Sequence, residues 1–138
     1  MDPVEHSHVA TDPDADAVYR AEANLEGEFP TRILSLAEAQ ALVDQISHAA
    51  DIDPPRVLHL PISRQYDALA VQDERVIVVR TKRPTQLTVI HEMAHFIGGM
   101  NHRTRFHQTY LALVRCFISF DHCTYLQNQL QGCFTKVS

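Results

Sequence analysis

The chain has 138 residues, a formal net charge of −5 and 45% hydrophobic content. That length supports one domain with one real core, and the acidic balance gives no electrostatic footprint for nucleic acid. No apolar run reaches the roughly 18 residues that cross a bilayer, and the start Met1-Asp2-Pro3-Val4-Glu5 lacks the basic and apolar regions of a secretory signal, so a cytoplasmic domain is expected.

Residues 1–14 are polar, acidic and proline-containing, and read as a disordered lead-in to a single domain over 15–138. His6 and His8 fall in it as solvated side chains. Val18, Ala21 and Leu25 recur at helical spacing, predicting a helix over Asp16–Glu26 closed by Gly27 and Pro30. Ser35 with Glu38 three residues on is a capping box. Leu36, Ala39, Leu42, Val43 and Ile46 then make the stripe of an amphipathic helix over 36–50. Three extended segments follow: Arg56–Leu60 between prolines, the apolar Ala68–Val71, and the β-branched Val76–Val79. The polar turn Gln72–Arg75 makes 68–80 a hairpin.

Thr85–Ile97 reads as a helix with Leu87, Ile90, Ala94 and Ile97 as core stripe, ended by Gly98-Gly99. A further helix covers about 103–118, with Phe106, Tyr110, Leu113, Val114 and Phe117 apolar, and Asp121 caps a last one ending near Gly132. The order is that of an α+β domain, a small three-stranded sheet or hairpin packed against the third helix and its flanking helices. The three cysteines, Cys116, Cys123 and Cys133, form no C-x-x-C pair and read as reduced packing thiols.

The chemistry lies in His91-Glu92-Met93-Ala94-His95. Residues four apart share a helix face, so His91 and His95 can turn two imidazoles to one metal ion. Glu92 stands about 100° round the helix, where a carboxylate can serve a water as base instead of binding the metal. A catalytic zinc commonly takes three protein ligands. No glutamate follows Glu92, and Asp121 is the last carboxylate side chain, so a histidine is the better third ligand. The metzincin spacing after Gly98 would want it at 101, where Asn101 stands. The glycine break frees the chain to return His102 to the metal. His107 is the reserve, with Asp121 and His122 weaker; His48 and His59 lie on other elements.

The segment Leu87–Phe106 resembles the SprT-like zincins, and within them a small actinobacterial and actinophage metallohydrolase family. There H-E-x-x-H is followed by a loop and a G-H-G-x-x-F element whose histidine is the third zinc ligand. His102-Arg103-Thr104-Arg105-Phe106 matches its H-x-x-x-F skeleton. The resemblance implies His102 as ligand and Phe106 packed behind it. Val18-Tyr19-Arg20-Ala21-Glu22 is similar to that family's V-Y-x-A-E helix. The likeness covers about 16–134 and is specific at the metal motif. Asn101 and Arg103 stand where the family has glycines, which puts Arg103 and Arg105 beside the site.

The expectation is a Zn²⁺-dependent metallohydrolase, a peptidase acting on a peptide or protein. His91, His95 and His102 hold the metal, and Glu92 takes the proton of the attacking water and hands it to the leaving amine. Tyr110, His107 and Arg103 are the candidates for a second electrophile or a supporting contact. In zincins of this kind a strand bordering the cleft holds the peptide by backbone pairing, a role that falls to Val76, Ile77, Val78 and Val79. The alternatives are a zinc hydrolase of a non-peptide amide and a non-catalytic, metal-stabilised interaction module.

Overall fold

Val76–Val79 is the middle strand of a mixed three-stranded sheet, and its neighbours explain much of what the chain does around it. The computed structural model describes residues 15–134, with side chains to Gln131; the lead-in 1–14 and the Cys133 side chain lie outside the described residues. The elements run α1 (Ala15–Glu28), α2 (Leu36–Ala50), β1 (Arg56–His59), β2 (Ala68–Val71), β3 (Val76–Val79), α3 (Gln86–Gly98), α4 (Thr104–Phe117) and α5 (Phe120–Phe134). This is the expected α+β composition.

The described chain falls into two compact units, one of 15–31 with 98–134 and the other of Arg32–Ile97. In the second, β1 pairs parallel with β3 from Arg56↔Val76 to His59↔Val79, and β2 pairs antiparallel with it from Ala68↔Val79 to Val71↔Val76. Every residue of β2 and β3 is buried. The sequence accordingly shows no apolar–polar alternation there, as befits a sheet covered on both faces. β1 is half-exposed, and its Val57 N–H is taken by Gln40 Oε1 of α2 at 2.8 Å. The α2 capping box forms as its sequence requires: Ser35 Oγ accepts from Glu38 N at 3.1 Å, and Glu38 Oε1 accepts from Ser35 N at 2.8 Å.

The start of α3 is clamped twice. Ile33 bridges Thr85, with Leu34 N donating to Pro84 O and Gln86 N to Arg32 O, each at 2.8 Å. Thr85 is the cap of α3, not its first residue: its Oγ1 accepts from Thr88 N at 3.2 Å. From Val89 to His95 the helix is buried on all sides. The expected one-face stripe therefore widens, with Val89 and Met93 in the core and Ile97 only half-buried.

In the first unit, Val18, Ala21 and Leu25 of α1 are buried, as are Phe106, Tyr110 and Val114 of α4 and Leu126 and Leu130 of α5. Both α1 and α4 pack on α5. Gly27 does not end α1; it sits within the last turn, which continues to Glu28. Ser119, not Asp121, caps α5, accepting His122 N at 3.0 Å on its Oγ. Cys123 is buried, which pushes its thiol up against the opposing pull of Arg115, whereas Cys116, expected to be buried, is exposed. Among the described residues no helix is long and apolar enough to cross a membrane.

Candidate metal centre

His91 and His95 lie one helical turn apart on α3, and their Nε2 atoms stand 3.2 Å from each other. Two ligand atoms about 2.0–2.1 Å from one tetrahedral ion are separated by about 3.3 Å, so this pair is already at ligand spacing. His102 supplies the third ring. Ligand atoms of His91, His95 and His102 all lie within 4.8 Å of one another, and the group can hold a metal ion. The three come from one continuous stretch, 91–102, so their grouping is a property of that stretch.

The burial of these rings sets them apart from ordinary histidines. His91 is 2% exposed, and His95 and His102 are fully buried. An imidazole trio is a donor set that zinc and its neighbours in the first transition row take. The residues present therefore fit a divalent ion of that kind.

Local structure explains how the ligands are held. Gln72, just past β2, donates from Nε2 to the carbonyl of His95 at 3.0 Å, fastening the last turn of α3 to the hairpin. The two glycines after it have different tasks. Gly99 has φ +112°, a conformation that L side chains rarely adopt. Gly98 makes room: a Cβ there would lie 2.8 Å from Thr109 Oγ1 and 3.1 Å from the Arg105 carbonyl of α4.

The His102 ring is gripped by aromatic edges. Phe106, one turn on, packs T-shaped against it with centroids 4.8 Å apart, and Tyr19 of α1 does the same at 5.6 Å. Behind Phe106 the Tyr110 ring follows at 5.4 Å, and its hydroxyl donates to Glu22 Oε2 at 2.6 Å. Sequence reasoning missed Tyr19 and Glu22 as parts of this assembly. Their signal was present in the spacing, since Tyr19 and Glu22 are three apart and share a helix face.

Among the other expected participants, Glu92 is buried at 4% exposure. His107 and Asp121 do not join the histidine group; Asp121 is exposed, and burial pushes the His107 imidazole below its usual value. Tyr110 is fully buried and donates a hydrogen bond to Glu22. Arg103 is exposed at the N-terminal boundary of α4. His48 and His59 are exposed, and His122 interacts through its ring with Ser119 Oγ and the Phe29 carbonyl. The assignment of Val76–Val79 as the peptide-pairing strand is corrected by the topology. Both edges of β3 are already hydrogen-bonded, to β1 and to β2, so it has no backbone groups to offer a substrate.

No protein-family model matches the chain, and neither a curated protein nor a solved structure matches it.

Proposed function

We propose that the protein is a zinc metallohydrolase, a peptidase of SprT-like character, with His91, His95 and His102 as ligands and Glu92 as general base. The observation that carries this is the meeting of three buried histidines at ligand spacing on the helix that also bears Glu92. Three histidines leave a fourth position open on a tetrahedral ion, the arrangement of hydrolytic rather than closed structural sites. Bound there, Zn²⁺ would supply Lewis acidity, acidifying water and polarising a carbonyl oxygen.

The chain's own residues do the rest. Glu92 is buried on the same helix as His91 and His95. It accepts the proton of the attacking water and returns it to the leaving nitrogen, so that one carboxylate serves both halves of the reaction. An extended peptide would pair at an outer strand, β1 or β2, because β3 is enclosed.

One observation favours a second reading, a metal-stabilised module without catalysis: all four polar side chains of the motif are buried. Against it, a structural site has no use for a buried carboxylate in the position of Glu92. The deciding experiment is Glu92→Gln in the zinc-loaded protein, assayed on a peptide panel and by metal titration. Hydrolysis should fall by about 10²–10⁴-fold with zinc still bound. Full activity in that variant sinks the mechanism. A zinc-loaded wild type that cleaves neither a peptide nor a small non-peptide amide leaves the module.

A further inference from the structure

The chain contains four tyrosines, and the structure gives them different tasks. Tyr110 is fully buried with its hydroxyl committed to Glu22. Tyr125 directs its hydroxyl to the Asn24 carbonyl at 3.4 Å, and Tyr66 receives Gln65 Nε2 on its oxygen at 3.0 Å. Tyr19 is the phenol set against a member of the histidine group: its ring meets the His102 ring edge to face, centroids 5.6 Å apart. It is also only half-buried. A group that must touch substrate has to be reachable, and of the two tyrosines stacked around His102 and Phe106, Tyr19 meets that condition and Tyr110 does not.

We propose that Tyr19 is the second electrophile of the site. That role requires its phenolic oxygen to reach a metal held by His102, against whose ring the Tyr19 ring stands, and its O–H to donate a hydrogen bond to the carbonyl oxygen of the scissile amide as negative charge develops there. During turnover the phenol gives up no proton and the proton traffic stays with Glu92; with no substrate bound, Cu²⁺, which binds such sites more strongly than Zn²⁺, can take the same phenol as tyrosinate. The inference rests on the hydrolase reading and names the residue that completes it.

Three features of the structure support this. Glu22, three residues further along α1, binds Tyr110 of α4, so the helix that carries Tyr19 is anchored to the helix that carries Phe106. Tyr19 is thereby held on a regular element, which places a catalytic group more precisely than a loop does. The competing candidates are poorly suited. Arg103 is exposed at the boundary of α4, and His107 stands outside the histidine group, with burial pushing its imidazole below the usual value.

Tyr19→Phe separates the hydroxyl from the ring, since it keeps the packing on His102. In the zinc-loaded protein, kcat on a cleaved peptide should drop by about 10²–10³-fold, with KM and zinc affinity unchanged. Tyr125→Phe, which removes a hydroxyl directed at the Asn24 carbonyl, should leave kcat within a few-fold. A readout independent of turnover comes from loading the protein with Cu²⁺ alone. Wild type and Tyr125→Phe should show a tyrosinate-to-copper charge-transfer band, and Tyr19→Phe should lack it. Full kcat in Tyr19→Phe, a band that survives in it, or no band in wild type overturns the proposal. If wild type cleaves neither peptides nor small amides, the hydrolase reading and the catalytic role fall together. The copper band then still reports whether Tyr19 reaches the metal.

Discussion

Tyr110 donates its hydroxyl to Glu22 Oε2 at 2.6 Å across a separation of 88 residues, joining α4 to α1. A phenol to a carboxylate is a charge-assisted bond, short and strong for its kind. Tyr110→Phe should therefore destabilise the fold by about 1.5–3 kcal/mol, seen as a lower midpoint in denaturant with unchanged slope. Glu22→Gln should cost less, because an amide oxygen can still accept. Metal affinity should change little in either variant, since neither residue is a ligand. A large loss of stability in Glu22→Gln and none in Tyr110→Phe would show that the bond is not what matters.

The ligand assignment separates two nearby histidines. His102→Ala should weaken zinc binding by at least about 100-fold, more than losing an outer contact does. His107→Ala should leave it within a few-fold. Isothermal titration on the two variants decides between them, and equal losses would mean that His107 shares the metal.

The glycines rank themselves by space and conformation. Gly98→Ala drives a methyl against Thr109 and the Arg105 backbone, and should cost about 1–3 kcal/mol. Gly99→Ala should cost about 1–2 kcal/mol through its positive φ. Gly27→Ala meets nothing within 4 Å inside a helix, and should stabilise by about 0.5–1 kcal/mol. Thermal melts at fixed zinc concentration give the order, and a stabilising Gly98→Ala would refute the close approach of α4.

The pH dependence of stability has one contribution with a clear sign. Burial lowers the folded-state pKa of His107 below its ordinary value of 6.5. Above that value both folded and unfolded chains carry it neutral, and it contributes nothing. As pH falls through 6.5 the unfolded chain takes up the proton first, so stability declines until the folded pKa is passed. His107→Gln should flatten this part of the curve. Glu38 acts at lower pH: its depressed pKa, set first by the Ser35 backbone, contributes stability above 4.5 that is lost as pH falls through the folded value. Denaturant midpoints between pH 2 and pH 8, with metal absent throughout, test both.

Much of this architecture was legible because local signals agreed with each other. The Ser35–Glu38 box, the β-branched run at Val76–Val79 and the glycine pair at 98–99 each specify a local conformation whatever the rest of the chain does. Gly27 misled because an unobstructed glycine at a helix end costs too little to stop the helix. Asp121 lost its cap position to Ser119, whose hydroxyl reaches the His122 amide. Strand order was the larger gap: nothing in the composition of Val76–Val79 distinguishes a middle strand from an edge strand, because β2 and β3 are equally apolar and equally buried. At the site, His91 and His95 followed from helix periodicity alone. His102 needed the break in the helix and a likeness in its surroundings. Tyr19 and Glu22 stayed hidden because their partners lie far along the chain, and a single sequence carries no record of such pairings.

That the three histidines come from one uninterrupted stretch bears on how the protein acquires its metal. Closing a ring through 91–102 asks little of the chain, since loop-closure entropy grows with the length enclosed. The donors on α3 need only the helix to form, a microsecond event, whereas the parallel pairing of Arg56–His59 with Val76–Val79 must wait for a crossover to close. A metal ion taken up by these histidines during synthesis would therefore meet them before the sheet is complete, and would act as an early nucleus of folding as well as the late occupant of a finished site.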